Sequence, residues 1–360
     1  MTTLLPLIVL LGPAGPAVAG PSPRVEVAFV LDTTGSMGDL IEGAKRRIWS
    51  IARRIGEGRP RPALRIALVG YRDLGDQYVT LVHDFSGDMD EVYERLMSFQ
   101  ASGGGDGPEH VSAALAAAVD RLSWSRAKGM QVIFLVGDAP PHVDYQDGYD
   151  YRRHAGQARA RGIGIETIQC GASPETEAFW REIASLGGGD YARIDAQGGM
   201  PVRITPVDAE LARLNRELAG TVVAGGRADE RARTERRLAA RAAMPASTAA
   251  DAAGFYASSD RLAEKDLVGL APAEQKEELE AMRRDPAAAP PAIAGKTEAE
   301  ALAYLEAQKK KRAEIQARVS ALQKERDAHL ARAAGASADG FDEQVVRSLR
   351  KRAAEAGIVY

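Results

Sequence analysis

A single cysteine stands in 360 residues, and its scarcity excludes more than any residue present. Cys170 alone can build neither an intramolecular disulfide framework nor a multi-cysteine metal centre. It closes the apolar run Ile165-Glu166-Thr167-Ile168-Gln169-Cys170 and reads as a buried structural thiol. An excess of either charge is also missing: 47 Lys and Arg face 50 Asp and Glu, for a net charge of −3. No overall field therefore draws the chain to nucleic acid or to an anionic membrane. Beyond the N-terminus no uninterrupted apolar stretch approaches the ~18 residues of a membrane span. The glycine run Gly103–Gly105 is not followed by Gly-Lys-Ser/Thr, which argues against a nucleotide P-loop. Neither a nucleophile elbow nor a catalytic triad pattern is present.

The N-terminus has the layout of an export signal. Leu4 to Leu11 is apolar, Gly and Pro follow, and Ala17-Val18-Ala19 has the small-x-small form of a cleavage site. The expectation is a signal peptide over residues 1–19 and a mature protein that is exported, either periplasmic or secreted. A misassigned start codon or a disordered leader is the alternative.

From Arg24 to about Ile194, apolar strand-like runs alternate with amphipathic stretches. That alternation predicts an α/β fold, a doubly wound and mostly parallel sheet covered by helices. Val25–Leu31, Leu64–Tyr71, Met130–Val136 and Gly162–Gln169 are rich in Val, Ile and Leu, as strands buried on both faces should be. Tyr78–His83 reads as one antiparallel edge strand and Tyr191–Ile194 as a short last strand. Helices are predicted over Leu40–Ile55, Met89–Phe99, Pro108–Leu122, Tyr149–Arg161 and Pro174–Leu186, with Pro108 and Pro174 at first helical positions.

After Pro206 apolar density falls, aromatics become sparse, and Ala, Arg and Glu dominate. The predicted divisions are a first domain over 24–205, a helix packing on it over 206–222, and a charged helical tail over 223–360 with an Ala/Pro linker at 286–295. Helices are expected at Val207–Ala219, Ala228–Ala243, Ala271–Arg284 and Thr297–Ala333. In the last of these, Leu305, Ile315, Val319 and Leu322 fall near heptad spacing, while Gln308, Arg312, Arg326 and His329 interrupt the stripe, so a coiled coil would be weak. Lys309-Lys310-Lys311-Arg312 reads as a solvated face. With few large apolar side chains, the tail is expected to form loose helices or to order only on the first domain or in a homo-oligomer.

The most informative segment is Val25-Glu26-Val27-Ala28-Phe29-Val30-Leu31-Asp32-Thr33-Thr34-Gly35-Ser36-Met37. A strand that ends in a carboxylate, followed by hydroxyls two and four residues on, delivers hard oxygen donors to one sheet rim. Such donors suit Mg²⁺, Mn²⁺ or Ca²⁺ rather than zinc. In doubly wound sheets ligands sit beyond the carboxyl ends of the strands. Two further segments reach that rim: Phe134-Leu135-Val136-Gly137-Asp138, and the loop Ser102-Gly103-Gly104-Gly105-Asp106-Gly107-Pro108-Glu109. Read alone, Asp-x-Thr-x-Ser could simply cap the helix near Leu40. Asp73 and Asp76 follow a strand end and fit either outer support of a metal site or a turn. His110 and His142 flank the motifs, where loop histidines usually face solvent. Tyr145, Tyr149 and Tyr151 fit a contact rim or simple packing.

Asp32-Thr33-Thr34-Gly35-Ser36-Met37 resembles the first metal motif of von Willebrand factor type A domains, Asp-x-Ser/Thr-x-Ser. Gly103–Glu109 resembles their second loop and Val136–His142 their third. Together with Gly70-Tyr71-Arg72-Asp73 the set is similar to the hemicentin-like and alpha-kinase-linked subgroup, over roughly half the chain. The resemblance implies a metal-ion-dependent adhesion site. Thr34 and Ser36 would bind the cation through their hydroxyls, and Asp32 and Asp138 directly or through water. Asp106 would stand where the family usually has threonine. That extra carboxylate would weaken the pull on an acidic partner group and favour Ca²⁺, although Mg²⁺ remains the family's usual ion. Met37, Glu109, His142 and Tyr145 are the expected partner-contact residues.

The reading that follows is an exported, non-enzymatic binding module that engages an acidic side chain of a protein partner through a divalent cation, with the helical tail as a spacer or assembly surface. Nucleic acid is not an expected partner. The alternatives are an intracellular scaffold for a multiprotein complex, and a metal-assisted hydrolase with His142 or Glu109 as base.

Overall fold

The computed structural model describes residues 22–105, 107–126, 129–196, 203–285, 288–333, 341–354 and 356–360. Residues 1–19, expected as a leader, and Asp106 lie outside the described residues.

Six strands form one sheet: β1 (Arg24–Asp32), β2 (Ala63–Tyr71), β3 (Thr80–Ser86), β4 (Gly129–Gly137), β5 (Gly164–Cys170) and β6 (Tyr191–Ile194). Their order is β3-β2-β1-β4-β5-β6, with β3 antiparallel and the other pairings parallel. The one antiparallel strand is at the edge, as its alternating pattern predicts, but it runs two to three residues later than the Tyr78–His83 estimate. β1 lies between two parallel neighbours and is buried from Val25 to Asp32. Its register sets Leu31 opposite Gly70 on β2 and Val136 on β4. Asp32 therefore emerges beside Tyr71 and Gly137, with Asp138 the next residue along.

The alternation of β1 divides the core. Val25, Val27, Phe29 and Leu31 face one layer, where Phe29 stacks on Phe134 at 5.6 Å between ring centroids. That layer includes α1 (Gly38–Gly56) and α2 (Met89–Met97). Ala28 and Val30 face the other, formed by α3 (Val111–Ala116), α4 (Tyr151–Ala160) and α5 (Pro174–Leu186). Starts of α2, α4 and α5 are capped by side chains of Asp88, Asp150 and Ser173, which satisfy amides of the first turn. Pro174 holds the first position of α5 as predicted. Pro108 does not start a helix. The backbone of Glu109 is bridged to Pro141 instead, and α3 begins after His110, whose Nδ1 accepts from the Ala113 amide at 3.3 Å.

The tail is packed on the sheet domain rather than held apart from it. Together with α6 (Asp208–Ala219), the helix expected to pack on that domain, the helical region comprises α7 (Ala228–Ala242), α8 (Ala246–Tyr256), α9 (Pro272–Arg284), α10 (Glu298–Ala333) and α11 (Phe341–Ala353). One core cluster joins β1 and α1 to Leu211, Leu214, Ala249, Ala253, Val319, Phe341 and Leu349. No helix is expected from the sequence at α8 or α11, although Phe341, Val345 and Leu349 of α11 recur at helical spacing and are buried. α8 buries Ala249, Ala250, Ala252 and Ala253, small side chains that let it lie close against α1 and α6.

The long charged helix corrects a second expectation. Its buried or half-buried positions include Ala301, Leu305, Gln308, Arg312, Ile315, Val319, Leu322, Gln323, Arg326 and His329. The residues expected to break the stripe are part of it. Arg312 reaches Asp266 at 2.7 and 3.2 Å and donates to Thr221, all buried. Arg326 donates to Asp208 at 2.7 Å and to Asp251 at 2.6 Å. Lys309, Lys310 and Lys311 are exposed, whereas Arg312 leaves that solvated run. The stripe faces α6, α8 and α9 of its own chain.

Candidate metal centre

The carboxyl ends of the central strands carry a cavity of about 480 Å³. Thr34, Ser36, the glycines of 103–105, Glu109, Asp138 and Thr176 are among the residues that line it. Three loops are tied together to form it. The Gly35 amide donates to the Gly103 carbonyl, and the Ser102 amide to Thr33, joining the first loop to the second. The Glu109 amide donates to Pro140 at 2.9 Å and the His142 amide to Glu109 at 3.1 Å, joining the second to the third. Arg72 is buried beneath and donates to the carbonyls of Thr33 and Gln100, fixing both ends of the first junction.

Asp32 is fully buried at the base. Its Oδ1 accepts from the Thr34 amide at 2.9 Å and the Thr34 hydroxyl at 2.6 Å, and that hydroxyl lies 3.3 Å from Ser36 Oγ. Its Oδ2 is buried and has no hydrogen-bond partner among the described residues. Burial pushes the Asp32 carboxyl up to about 7, with Asp138 adding to the rise, while the Thr34 hydrogen bonds and Arg72 act against it. Glu109 repeats the pattern at the cavity wall. It is buried, its Oε2 is unpartnered among the described residues, and its carboxyl is pushed up to about 9 by burial and by Asp32, Asp73, Asp76 and Asp138. Buried polar atoms normally find partners, so two unmatched carboxylate oxygens at one cavity need a physical reason.

Glycine is required at two positions here. At Gly137 a Cβ would come within 2.4 Å of the Tyr71 hydroxyl and 3.2 Å of Asp32 Cβ. At Gly104, φ is +78°, and a Cβ would stand 3.2 Å from Glu109 Oε1 and from Thr34 Cβ. Asp76 fixes this turn by accepting from the Gly104 amide at 3.1 Å.

The donor chemistry fits a hard divalent cation. Among the described residues no three His, Cys, Asp or Glu side chains are grouped to hold a metal by themselves. The oxygens available are mixed, hydroxyls of Thr34 and Ser36 with carboxylates of Asp32 and Asp138, and that mixture suits Mg²⁺, Mn²⁺ or Ca²⁺. The fifth expected ligand, Asp106, lies outside the described residues.

Three of the four expected contact residues are displaced. Met37 is 1% exposed and packs in the core below α1, because the short turn Gly35–Met37 points it inward. His142 and Tyr145 do not line the cavity; they stack on each other at 4.0 Å, and the Tyr145 hydroxyl donates to Asp73 at 2.7 Å. His142 Nε2 lies 3.4 Å from the same carboxylate. His110 does not face solvent but is buried, with Nε2 2.6 Å from Asp147. Glu109 alone reaches the cavity. Sequence reasoning missed the α5 contribution, Ser173, Glu175 and Thr176. The Thr176 hydroxyl donates to the Asp138 carbonyl at 3.0 Å and so fixes the third loop. The Ser-Pro pair that starts α5 was legible, but not the direction in which its first turn points.

Residues 26–149 match the family model described as von Willebrand factor A domain. The segment that carries the site is thus a von Willebrand factor A domain. The von Willebrand factor A domain-containing protein 7 of Rattus norvegicus is 36% identical over 123 residues, 33% of this chain and 12% of that protein. The Homo sapiens protein of the same name is 34% identical over the same spans. The chain therefore covers only about an eighth of these relatives' length. Among solved structures, proximal thread matrix protein 1 from the mussel byssus, with a zinc-occupied MIDAS motif, is 16% identical. It covers 48% of this chain and 42% of its own, with a TM-score of 0.38, too loose to carry an argument.

Proposed function

We propose that this chain is a binding module whose cavity holds a divalent cation and presents it to a carboxylate of a protein partner. The observation that carries the reading is the buried, unpartnered Oδ2 of Asp32, whose other oxygen takes the hydroxyl of Thr34, which lines an open cavity together with Ser36. Thr34, Ser36, Asp32 and Asp138 would hold the ion, with Asp106 as a further carboxylate. The bound ion supplies positive charge and an open position for an incoming oxygen anion. Neutral hydroxyls among its donors leave that charge only partly offset. Mg²⁺ is the first choice, with Ca²⁺ or Mn²⁺ next, and the carboxylates at the rim favour Ca²⁺. Arg72 and Thr176 hold the loops rather than meet the ion.

Export is part of the proposal, resting on the Leu4–Leu11 run and Ala17-Val18-Ala19. Sequencing of the mature N-terminus tests it, since an intact Met1 would favour the scaffold reading. Titration calorimetry with Mg²⁺, Ca²⁺ and Mn²⁺ tests the site. Saturable binding is expected in the wild type and its loss in Asp32→Asn. Absence of binding at millimolar concentrations of all three ions would overturn the reading.

A further inference from the structure

Large apolar side chains are seldom left in water without a use when they gather in one place. Leu74, Val143 and Tyr149 are 52%, 65% and 48% exposed, and all three lie on loops at the carboxyl-end face of the sheet. Their loops are physically joined. Leu74 follows Asp73, whose carboxylate takes the Tyr145 hydroxyl and faces His142, and Val143 follows His142. Tyr145 meets His110 edge-on at 5.1 Å, and His110 meets Tyr149 edge-on at 5.7 Å. The same turn continues into the cavity, because Asp76, two residues beyond Leu74, accepts from the Gly104 amide at the cavity lip. Leu74, Val143 and Tyr149 thus form a ridge of three exposed apolar side chains on loops tied to one another and to the cavity lip.

The geometry points to this ridge as the second half of the partner site: it seats a large apolar side chain carried on the same extended segment as the acidic residue that meets the cation. This rests on the proposed function and adds the partner's composition to it. Charge complementarity specifies the flanks. Asp144, Asp147 and Asp150 are exposed or partly exposed along the ridge, and Glu175 is exposed across the cavity. A segment with several acids would be repelled there, so the fitting partner has one carboxylate, an apolar neighbour and basic flanking residues. Rigid support favours such use. His142 stacked on Tyr145 needs no ordering on binding, which removes a cost that mobile loops carry.

The test is selection from a random peptide display library on the immobilised full chain, in Mg²⁺ and again in EDTA. It is repeated with the Leu74→Ser/Val143→Ser double variant and with Asp32→Asn. Expected are Mg²⁺-dependent peptides with one Asp or Glu, an enriched large apolar residue at fixed spacing, and Lys or Arg around them. On the double variant the acid should persist, the apolar preference vanish, and synthetic peptide affinity drop about tenfold, with unchanged Mg²⁺ affinity. Acid-bearing, metal-dependent peptides without an apolar preference, or with one that survives in the double variant, would overturn the ridge alone. Peptides indifferent to EDTA and to Asp32→Asn would overturn the cation reading beneath it.

Discussion

Two groups of buried carboxylates in this molecule, one in the helical region and one at the sheet rim, are treated differently. In the helical region, Asp208, Asp251 and Asp266 are buried and each accepts from an arginine of α10, at 2.7, 2.6 and 2.7 Å. At the sheet rim, Asp32 and Glu109 are as well buried, yet each leaves one oxygen without a partner among the described residues. A buried charge lacking a counter-ion is costly and normally takes up a proton, and both rim carboxyls are pushed up accordingly. The tail meets that cost internally because its charges serve packing. The rim leaves it open, as expected where the balancing charge comes from outside the chain.

The largest effect should come from breaking a tail pair. Arg326→Ala leaves Asp208 and Asp251 buried without their cation, and an unfolding free energy lower by about 3–5 kcal/mol is expected in urea. Loss should extend to the sheet, since one core cluster contains both regions. A small loss, or a separate early transition for the tail, would show that the tail ion pairs do not hold the two parts together.

Next in size is the response to the cation, which only the rim should show. A divalent ion at 100 times its dissociation constant should raise stability by about 2.7 kcal/mol, and Asp32→Asn should remove that gain while leaving the metal-free fold intact. Arg326→Ala should keep the gain, measured from its lower base. Proton linkage sharpens the contrast. The metal-free fold holds a proton on Asp32 more tightly than the unfolded chain does between pH 4 and about 7. Its contribution to metal-free stability therefore grows as pH falls through that window and is lost as pH rises. The cation competes with the same proton, so affinity should weaken as pH falls below 7, by up to about tenfold per pH unit. Thermal unfolding with and without Mg²⁺ at pH 5, 6 and 7 reads both trends. A metal-induced gain that is flat across that range would exclude Asp32 as the titrating donor.

The same contrast explains what could be read from the sequence. The sheet was legible because β1, β2 and β4 bury both faces and carry near-continuous apolar runs, while the equally buried β5 shows only Ile165 and Ile168 among polar residues. The rim positions of Asp32, Thr34, Ser36 and Asp138 were legible because each lies at or just beyond a strand end whose position the run fixes. His142 and Tyr145 were misplaced because their direction is set by remote Asp73, and Met37 because the short turn Gly35–Met37 packs it into the core. The tail was harder still. α8 packs through alanines, whose burial leaves little periodic signal, and Arg312 and Arg326 read as exposed because their acidic partners lie 46 to 118 residues away.

The smallest effect tests where the site ends. Met37 follows Ser36 by one residue, yet it belongs to the core with Leu40 and Ile41 rather than to the cavity. Met37→Leu conserves volume and should cost less than about 1.5 kcal/mol. Mg²⁺ affinity should not change, because the substitution touches no oxygen donor. Calorimetry on this variant beside Ser36→Ala makes the comparison within one turn. Weaker Mg²⁺ binding is expected only for Ser36→Ala, whose hydroxyl lies 3.3 Å from Thr34 Oγ1. Equal losses in both would mean that the cation senses the packing of the whole turn, and that the boundary between core and rim drawn here is too sharp.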